Sequence, residues 1–214
     1  MDVIVNGKSQ DTVSVHDRGL LYGDGLFETI AIHHGEPRDW QRHMARLGEG
    51  CRHLKIHGID YEVLKIEADM LCSTNIDGVL KIIITRGGGG RGYRSPSLDD
   101  GTTCYTRILQ RHDAPQYPKV FWHKGIELTI CHSRLGSNPL LAGLKHLNRL
   151  EQVIARSEWH NSLIPEGLML NEAGDVISGT MTNLFIVKEN NLYTPNLSQC
   201  GVAGVIRGLV IDIA

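Results

Sequence analysis

The run Leu140-Leu141-Ala142-Gly143-Leu144-Lys145-His146-Leu147-Asn148-Arg149-Leu150-Glu151 organises the reading of the whole chain. Lys145 follows a glycine turn and has apolar neighbours in Leu140, Leu141, Leu144 and Leu147. The apolar spacing continues through Leu150, Val153 and Ile154, which predicts an amphipathic helix from the lysine to about Trp159. An amine in an apolar pocket loses hydration, and its charged form is disfavoured. Such a lysine can attack a carbonyl or move a proton. Taken alone, the window fits a solvated lysine at a helix start better, because most lysines lie on the surface.

Working outward, the C-terminal flank reads as a meander. Gly167–Leu170, Asp175–Ser178, Asn183–Val187 and Leu192–Thr194 are short apolar runs separated by the turns Asn171-Glu172-Ala173-Gly174 and Asn190-Asn191. Gly201-Val202-Ala203-Gly204-Val205-Ile206-Arg207-Gly208 then opens a final helix. A glycine turn entering a helix presents bare N–H groups and the positive end of the helix dipole, which suits a phosphate. On the N-terminal flank, Val3–Val5, Leu26–Ile32, Val79–Thr85 and Thr102–Leu109 read as strands, and Gly125–His132 as the first strand of a second half. Trp40–Ile56 and Tyr61–Ser73 read as helices, the second with Val63, Leu64, Ile66, Met70 and Leu71 on its apolar face. Residues 14–29 carry three glycines in seven positions and read as an irregular loop. Arg111–Pro118 loses periodicity and gains proline, which marks a domain linker. The expected organisation is therefore two α+β halves, 1–113 and 119–214, joined by 114–118.

Composition narrows the function classes. The chain has 214 residues, 41% of them hydrophobic, and a net charge of −2. No basic block points to nucleic acid, and no long apolar run or basic-plus-apolar leader points to a membrane or to secretion. Five scattered cysteines form no pairing motif, as expected for reduced thiols in the cytoplasm. Gly87–Gly90 lacks the spacing of a nucleotide-binding loop, and Ser178-Gly179-Thr180-Met181-Thr182 lacks the last glycine of a hydrolase elbow. His53 and His57 stand four apart without further ligands, so no metal site is expected. Arg86 and Arg91 beside the glycine run could receive a carboxylate through their guanidinium forks.

These pieces together carry a resemblance. Asp17-Arg18-Gly19, Tyr22-Gly23-Asp24-Gly25-Leu26-Phe27-Glu28-Thr29, His43-Met44-Ala45-Arg46-Leu47 and Gly90-Arg91-Gly92-Tyr93 form one set. Arg134–Pro139, Gly143–Gln152, Asn183-Leu184-Phe185, Tyr193-Thr194-Pro195 and Gly201–Arg207 form the other. The whole chain resembles the fold-type IV pyridoxal-phosphate enzymes, and among them the aminodeoxychorismate lyases. The resemblance implies an α+β, two-domain, D-amino-acid aminotransferase-like fold, with the cofactor lysine in the C-terminal domain. Family members usually continue past the equivalent of Ala214, so that domain is expected to be incomplete.

The resemblance also implies roles. Lys145 would bind pyridoxal phosphate covalently and shuttle protons. Arg46 and the backbone N–H groups of Val205 and Ile206 would hold its phosphate. Arg107, Arg91 and Tyr93 would be substrate-side, and the protein would be a cytoplasmic homodimer with a small-molecule substrate. The implied reaction converts 4-amino-4-deoxychorismate to 4-aminobenzoate and pyruvate, on the way to folate. A D- or branched-chain aminotransferase on the same fold, or an impaired homologue, is the alternative. One position departs from the pattern. Ser178 stands where the family places a glutamate against the cofactor's pyridine nitrogen, and a hydroxyl cannot keep that nitrogen protonated as a carboxylate does.

Overall fold

The structure, a computed structural model, describes residues 2–74, 76–96 and 105–214. The chain separates into two compact units: residues 1–115 with 145–147, and residues 116–144 with 148–214.

The first unit is built on strand β1 (Val3–Val5), helix α1 (Arg18–Tyr22), β2 (Gly25–His33), β3 (Glu36–Pro37), α2 (Trp40–Leu54), α3 (Tyr61–Cys72), β4 (Gly78–Thr85) and β5 (Thr106–Asp113). The strands form one antiparallel sheet in the order β1-β5-β4-β2-β3. Along β4, Leu80, Ile82 and Ile84 are fully buried and alternate with half-buried Val79, Lys81 and Ile83, the period-2 pattern of a sheet with one covered face. Ile30 and Leu109 complete that layer. Met44, Leu47 and Cys51 of α2 and Leu64, Ala68, Leu71 and Cys72 of α3 recur at helical spacing and are buried. Asp60 caps α3 by accepting from the N–H groups of Glu62 and Val63.

Several boundaries differ from the sequence reading. Arg18–Tyr22 is a short helix rather than loop, because Asp17 accepts from Gly19 N and Gly23 closes the turn at φ 65°. Strand β5 runs on to Asp113, through the first three residues of the proline-bearing segment 111–118, because Arg111, His112 and Asp113 pair with Leu80, Val79 and Gly78. Cross-strand pairing outweighs the weak local propensity of that polar segment. The expected start of this strand, Thr102–Cys104, lies outside the described residues. On α3, Ile66 and Met70 are exposed and Ala68 and Glu67 take the inner positions.

The second unit contains α4 (Val120–Lys124), β6 (Leu128–Leu135), α5 (Leu150–Arg156), β7 (Glu166–Asn171), β8 (Val176–Gly179), β9 (Ile186–Lys188), β10 (Asn191–Tyr193) and α6 (Val205–Ile213). Strand β6 runs parallel to β7, which pairs antiparallel with β8; β9 and β10 form a separate hairpin. Cys131, Leu135, Ala155, Trp159, Met169, Ile177, Leu197 and Cys200 make the core. Trp159 donates its indole N–H to Ile164 O at 2.8 Å, which satisfies its one polar atom.

Candidate functional site

Lys145 does not begin a helix. Helix α5 starts five residues later, at Leu150. Residues 145–147 instead lie along β2 and belong to the first unit, although the residues on both sides belong to the second. Phe27 N donates to Lys145 O at 2.9 Å, Leu147 N donates to Gly25 O at 3.0 Å, and Leu26 and His146 form a β-bridge. This pairing fixes the backbone from the lysine carbonyl to Leu147, so the position of Lys145 is tied to the sheet. Gly25 permits the approach: a Cβ there would stand 2.4 Å from Ile84 O and 2.9 Å from a Leu147 methyl. The ammonium Nζ of Lys145 sits 4.2 Å from the centroid of the Phe27 ring. An aromatic face stabilises the cation and gives the chain an apolar wall.

Arg46, on α2, is held by a buried carboxylate. Glu28 lies on the inner face of β2 with Leu26, Ile30 and Ile32 and is 1% exposed. Arg46 Nε donates to Glu28 Oε1 at 2.8 Å, Arg46 Nη2 to Oε2 at 2.5 Å, and His43 Nδ1 lies 2.7 Å from Oε2. His43 and Arg46 are three apart on α2, so both reach the same carboxylate. Burial by itself raises the Glu28 carboxyl, but the hydrogen bonds from His43 and Arg46 and their charges outweigh it and hold the group below its ordinary range. The spacing of β2 already marks position 28 as inward-facing, so this pair was open to sequence reasoning that did not use it.

A second ionic node organises the glycine-rich segment. Arg18 is 3% exposed. Its Nε donates to Asp24 at 2.9 Å, and its Nη atoms donate to the carbonyls of Gly92 at 2.9 Å and Tyr93 at 3.1 Å. Asp24 also accepts from Arg86, whose Nη atoms reach the carbonyls of Leu54 and Lys55 at the end of α2. Burial raises the Asp24 carboxyl, and Arg86 and Arg18 together bring it below its ordinary range. Arg91 and Tyr93 extend from the segment so held; both are exposed, and the Tyr93 ring meets Tyr22 edge-on at 5.4 Å. Arg107 is committed elsewhere: its Nε donates to both oxygens of buried Glu67 at 2.9 and 2.8 Å. That hydrogen bond and the Glu67 charge raise the Arg107 pKa.

The second unit carries the glycine turn and position 178. Gly204 is the N-cap of α6 and offers no side-chain acceptor, which leaves the first-turn amides of Val205 and Ile206 pointing out of the helix start. A Cβ at Gly204 would fall 2.0 Å from Asn183 Oδ1, while Asn183 Nδ2 donates to Val202 O at 3.0 Å. The turn thus needs glycine and is braced by Asn183, and this bare nine-residue helix start fits an anionic group. Ser178 is buried, and its hydroxyl donates to Gly179 O at 2.8 Å.

The carboxylate of this unit that the sequence reading passed over is Glu166. It accepts from Thr180 N at 2.9 Å, Thr180 Oγ1 at 2.5 Å, Thr182 Oγ1 at 3.0 Å and Met181 N at 3.3 Å. Its position, directly before the apolar run Gly167–Leu170, was a weak signal. Glu172 lies on the turn after β7, as expected.

The profile of the family described as amino-transferase class IV matches residues 25–214. This chain belongs to that family. The class IV chain is 38% identical over 208 residues to the aminodeoxychorismate lyase of Vibrio harveyi, covering 97% of this chain and 75% of that protein. It is 32% identical to a putative branched-chain-amino-acid aminotransferase of Methanocaldococcus jannaschii, covering 100% and 75%. The solved 4-amino-4-deoxychorismate lyase of Pseudomonas aeruginosa superposes with a TM-score of 0.92 at 47% identity, covering 99% of this chain and 77% of that one. The expectation of a fold-type IV, pyridoxal-phosphate-dependent enzyme similar to the lyases is therefore met. No helix among the described residues is long and apolar enough to cross a membrane.

Proposed function

We propose that this chain is a lyase that converts 4-amino-4-deoxychorismate to 4-aminobenzoate and pyruvate, a step on the way to folate, with pyridoxal phosphate as cofactor. The observation that carries the reading is the identity to two named lyases, 38% and 47%, across nearly the whole chain. Lys145, locked to β2 through its backbone, supports it as the cofactor lysine. In this reading Arg46, oriented by Glu28, and the N–H groups of Val205 and Ile206 serve the cofactor phosphate, and Ser178 lies toward its pyridine side. Arg91 and Tyr93 serve substrate carboxylates, and Arg107 enters only as a pair with Glu67.

When bound, the cofactor supplies an electron sink for charge developing at the amine-bearing carbon. Lys145 Nζ takes the proton from that carbon and returns a proton to the departing enolpyruvyl group, which leaves as pyruvate. The carbon–oxygen bond breaks as the ring becomes aromatic, and aromaticity supplies the driving force. Because that force is large, the reaction tolerates a weak sink, which reconciles lyase chemistry with a serine at position 178. The reading includes a cytoplasmic homodimer. The cytoplasmic part is supported by buried, unpaired thiols at Cys51, Cys72, Cys131 and Cys200. Burial pushes the Cys51 thiol up to about 12, which keeps it unreactive.

Formation of 4-aminobenzoate from 4-amino-4-deoxychorismate tests the reading, with Lys145→Ala expected to lower the rate by about 10²–10⁴-fold or more. Turnover by the unsubstituted chain of a D- or branched-chain amino acid with 2-oxoglutarate, and none of the lyase substrate, would instead establish the aminotransferase reading, which the 32% identity to the Methanocaldococcus protein favours. Ser178→Glu should change the cofactor absorbance and raise the lyase rate; no change in either removes the assigned role of position 178.

A further inference from the structure

We propose that His33, His34 and Asp77 form a binding site for a divalent transition-metal ion of the zinc class, remote from Lys145. Among the described residues, this is the group of histidine, cysteine and acidic side chains whose ligand atoms all lie within 4.8 Å of one another. The sheet builds it. The last β2–β4 pair is Ile32 with Gly78, so the next positions outward on the two strands are His33 and Asp77. Consecutive strand residues point to opposite faces. His34 escapes that rule because its backbone is left-handed, at φ 50°, which swings its ring back beside that of His33. The two imidazole centroids are 4.1 Å apart.

Asp77 is already oriented by the His33 ring and the His34 backbone. Its Oδ1 accepts from His34 N at 2.9 Å, and its two oxygens lie 3.2 and 3.3 Å from His33 Nδ1. Ligands bound at about 2.1 Å to a tetrahedral ion stand about 3.4 Å apart, so the His33–Asp77 spacing matches two corners of such a site. The side chains of His33 and Asp77 are 50% and 52% exposed, which leaves room for water to complete the sphere. Two imidazoles with one carboxylate select Zn²⁺, Ni²⁺ or Cu²⁺ over Mg²⁺ or Ca²⁺. His33 is six residues along β2 from Phe27, about 20 Å, so the site is separate from the lysine chemistry. Local spacing rules could not find it, because the third ligand lies more than forty residues from the first two.

Calorimetric titration of the chelator-treated chain with ZnCl₂ tests the assignment, alongside His34→Asn and Asp77→Asn and a MgCl₂ control. Asparagine at position 34 keeps the left-handed backbone available. The unsubstituted chain should bind one Zn²⁺ that Mg²⁺ does not mimic. Each variant should weaken that binding by about 100-fold or more, since even residues outside a coordination shell are worth 10–100-fold. Histidine ring signals in NMR should broaden with Ni²⁺ at positions 33 and 34. Variants that bind zinc like the parent, or a parent chain that takes up none, overturn the proposal.

Discussion

Glu28 in the first unit and Glu166 in the second are both nearly sealed from solvent, at 1% and 5% exposure. Their surroundings differ in kind. Glu28 faces a guanidinium and an imidazole, so it is stabilised as a charge among charges. Glu166 faces two threonine hydroxyls and backbone N–H groups, all neutral. The first arrangement orients a cation, Arg46, that the proposed function requires. The second braces a turn, residues 180–182, without adding another charge. A buried ion pair is costly to break because one charge is left stranded. A carboxylate held by neutral donors loses less when it is neutralised, because those donors can keep an acceptor.

The largest expected effect is therefore at Glu28. Glu28→Gln should cost about 3–5 kcal/mol of stability, measured by denaturant unfolding, because Arg46 stays partly buried without its counter-charge. Glu166→Gln should cost less, about 1–3 kcal/mol, as the amide keeps one acceptor oxygen for the threonine and backbone donors. An equal or reversed order would break the comparison. Acid gives a graded version of the first substitution. The folded carboxyls of Glu28 and Asp24 are held below their ordinary values, so the unfolded chain binds more protons as pH falls. Their contribution is present above the unfolded value, about 4, and is lost as pH drops through the lower folded values. Amide protection factors in β2 and β4, corrected for the intrinsic pH dependence of exchange, should fall below about pH 4. The smallest effect is expected for Thr182→Val, about 1 kcal/mol, because Glu166 keeps its other donors. A cost as large as that of Glu28→Gln would show that the turn depends on that single hydroxyl.

Regular elements were the legible part of the fold. Strand β4 announced itself through Val79–Thr85, α2 and α3 through their helical spacing, and α6 through the glycines before Val205. The polar end of β5 was not legible, because Arg111–Asp113 becomes strand only by pairing with β4. In the site, the lysine run, Arg46 and the glycine turn could be named from motifs. Their supports were legible only in part: the period-2 spacing of β2 marks Glu28 as inward-facing, but Glu28, Asp24 and Arg18 are ordinary charged residues until burial gives each a partner. The third ligand of the proposed metal site is hidden for the same reason.

Sequence by itself carried the motifs whose resemblance implied the family and the cofactor, and it named the candidate groups. It also determined most elements, since a periodicity of two or 3.6 is a local property. Tertiary structure alone decided where Lys145 belongs. Its apolar neighbours read as a helix start, yet residues 145–147 give up helical hydrogen bonds for backbone bonds to β2, more than a hundred residues earlier. Only the close approach at Gly25 makes that exchange possible, and no local pattern encodes an approach between segments so far apart.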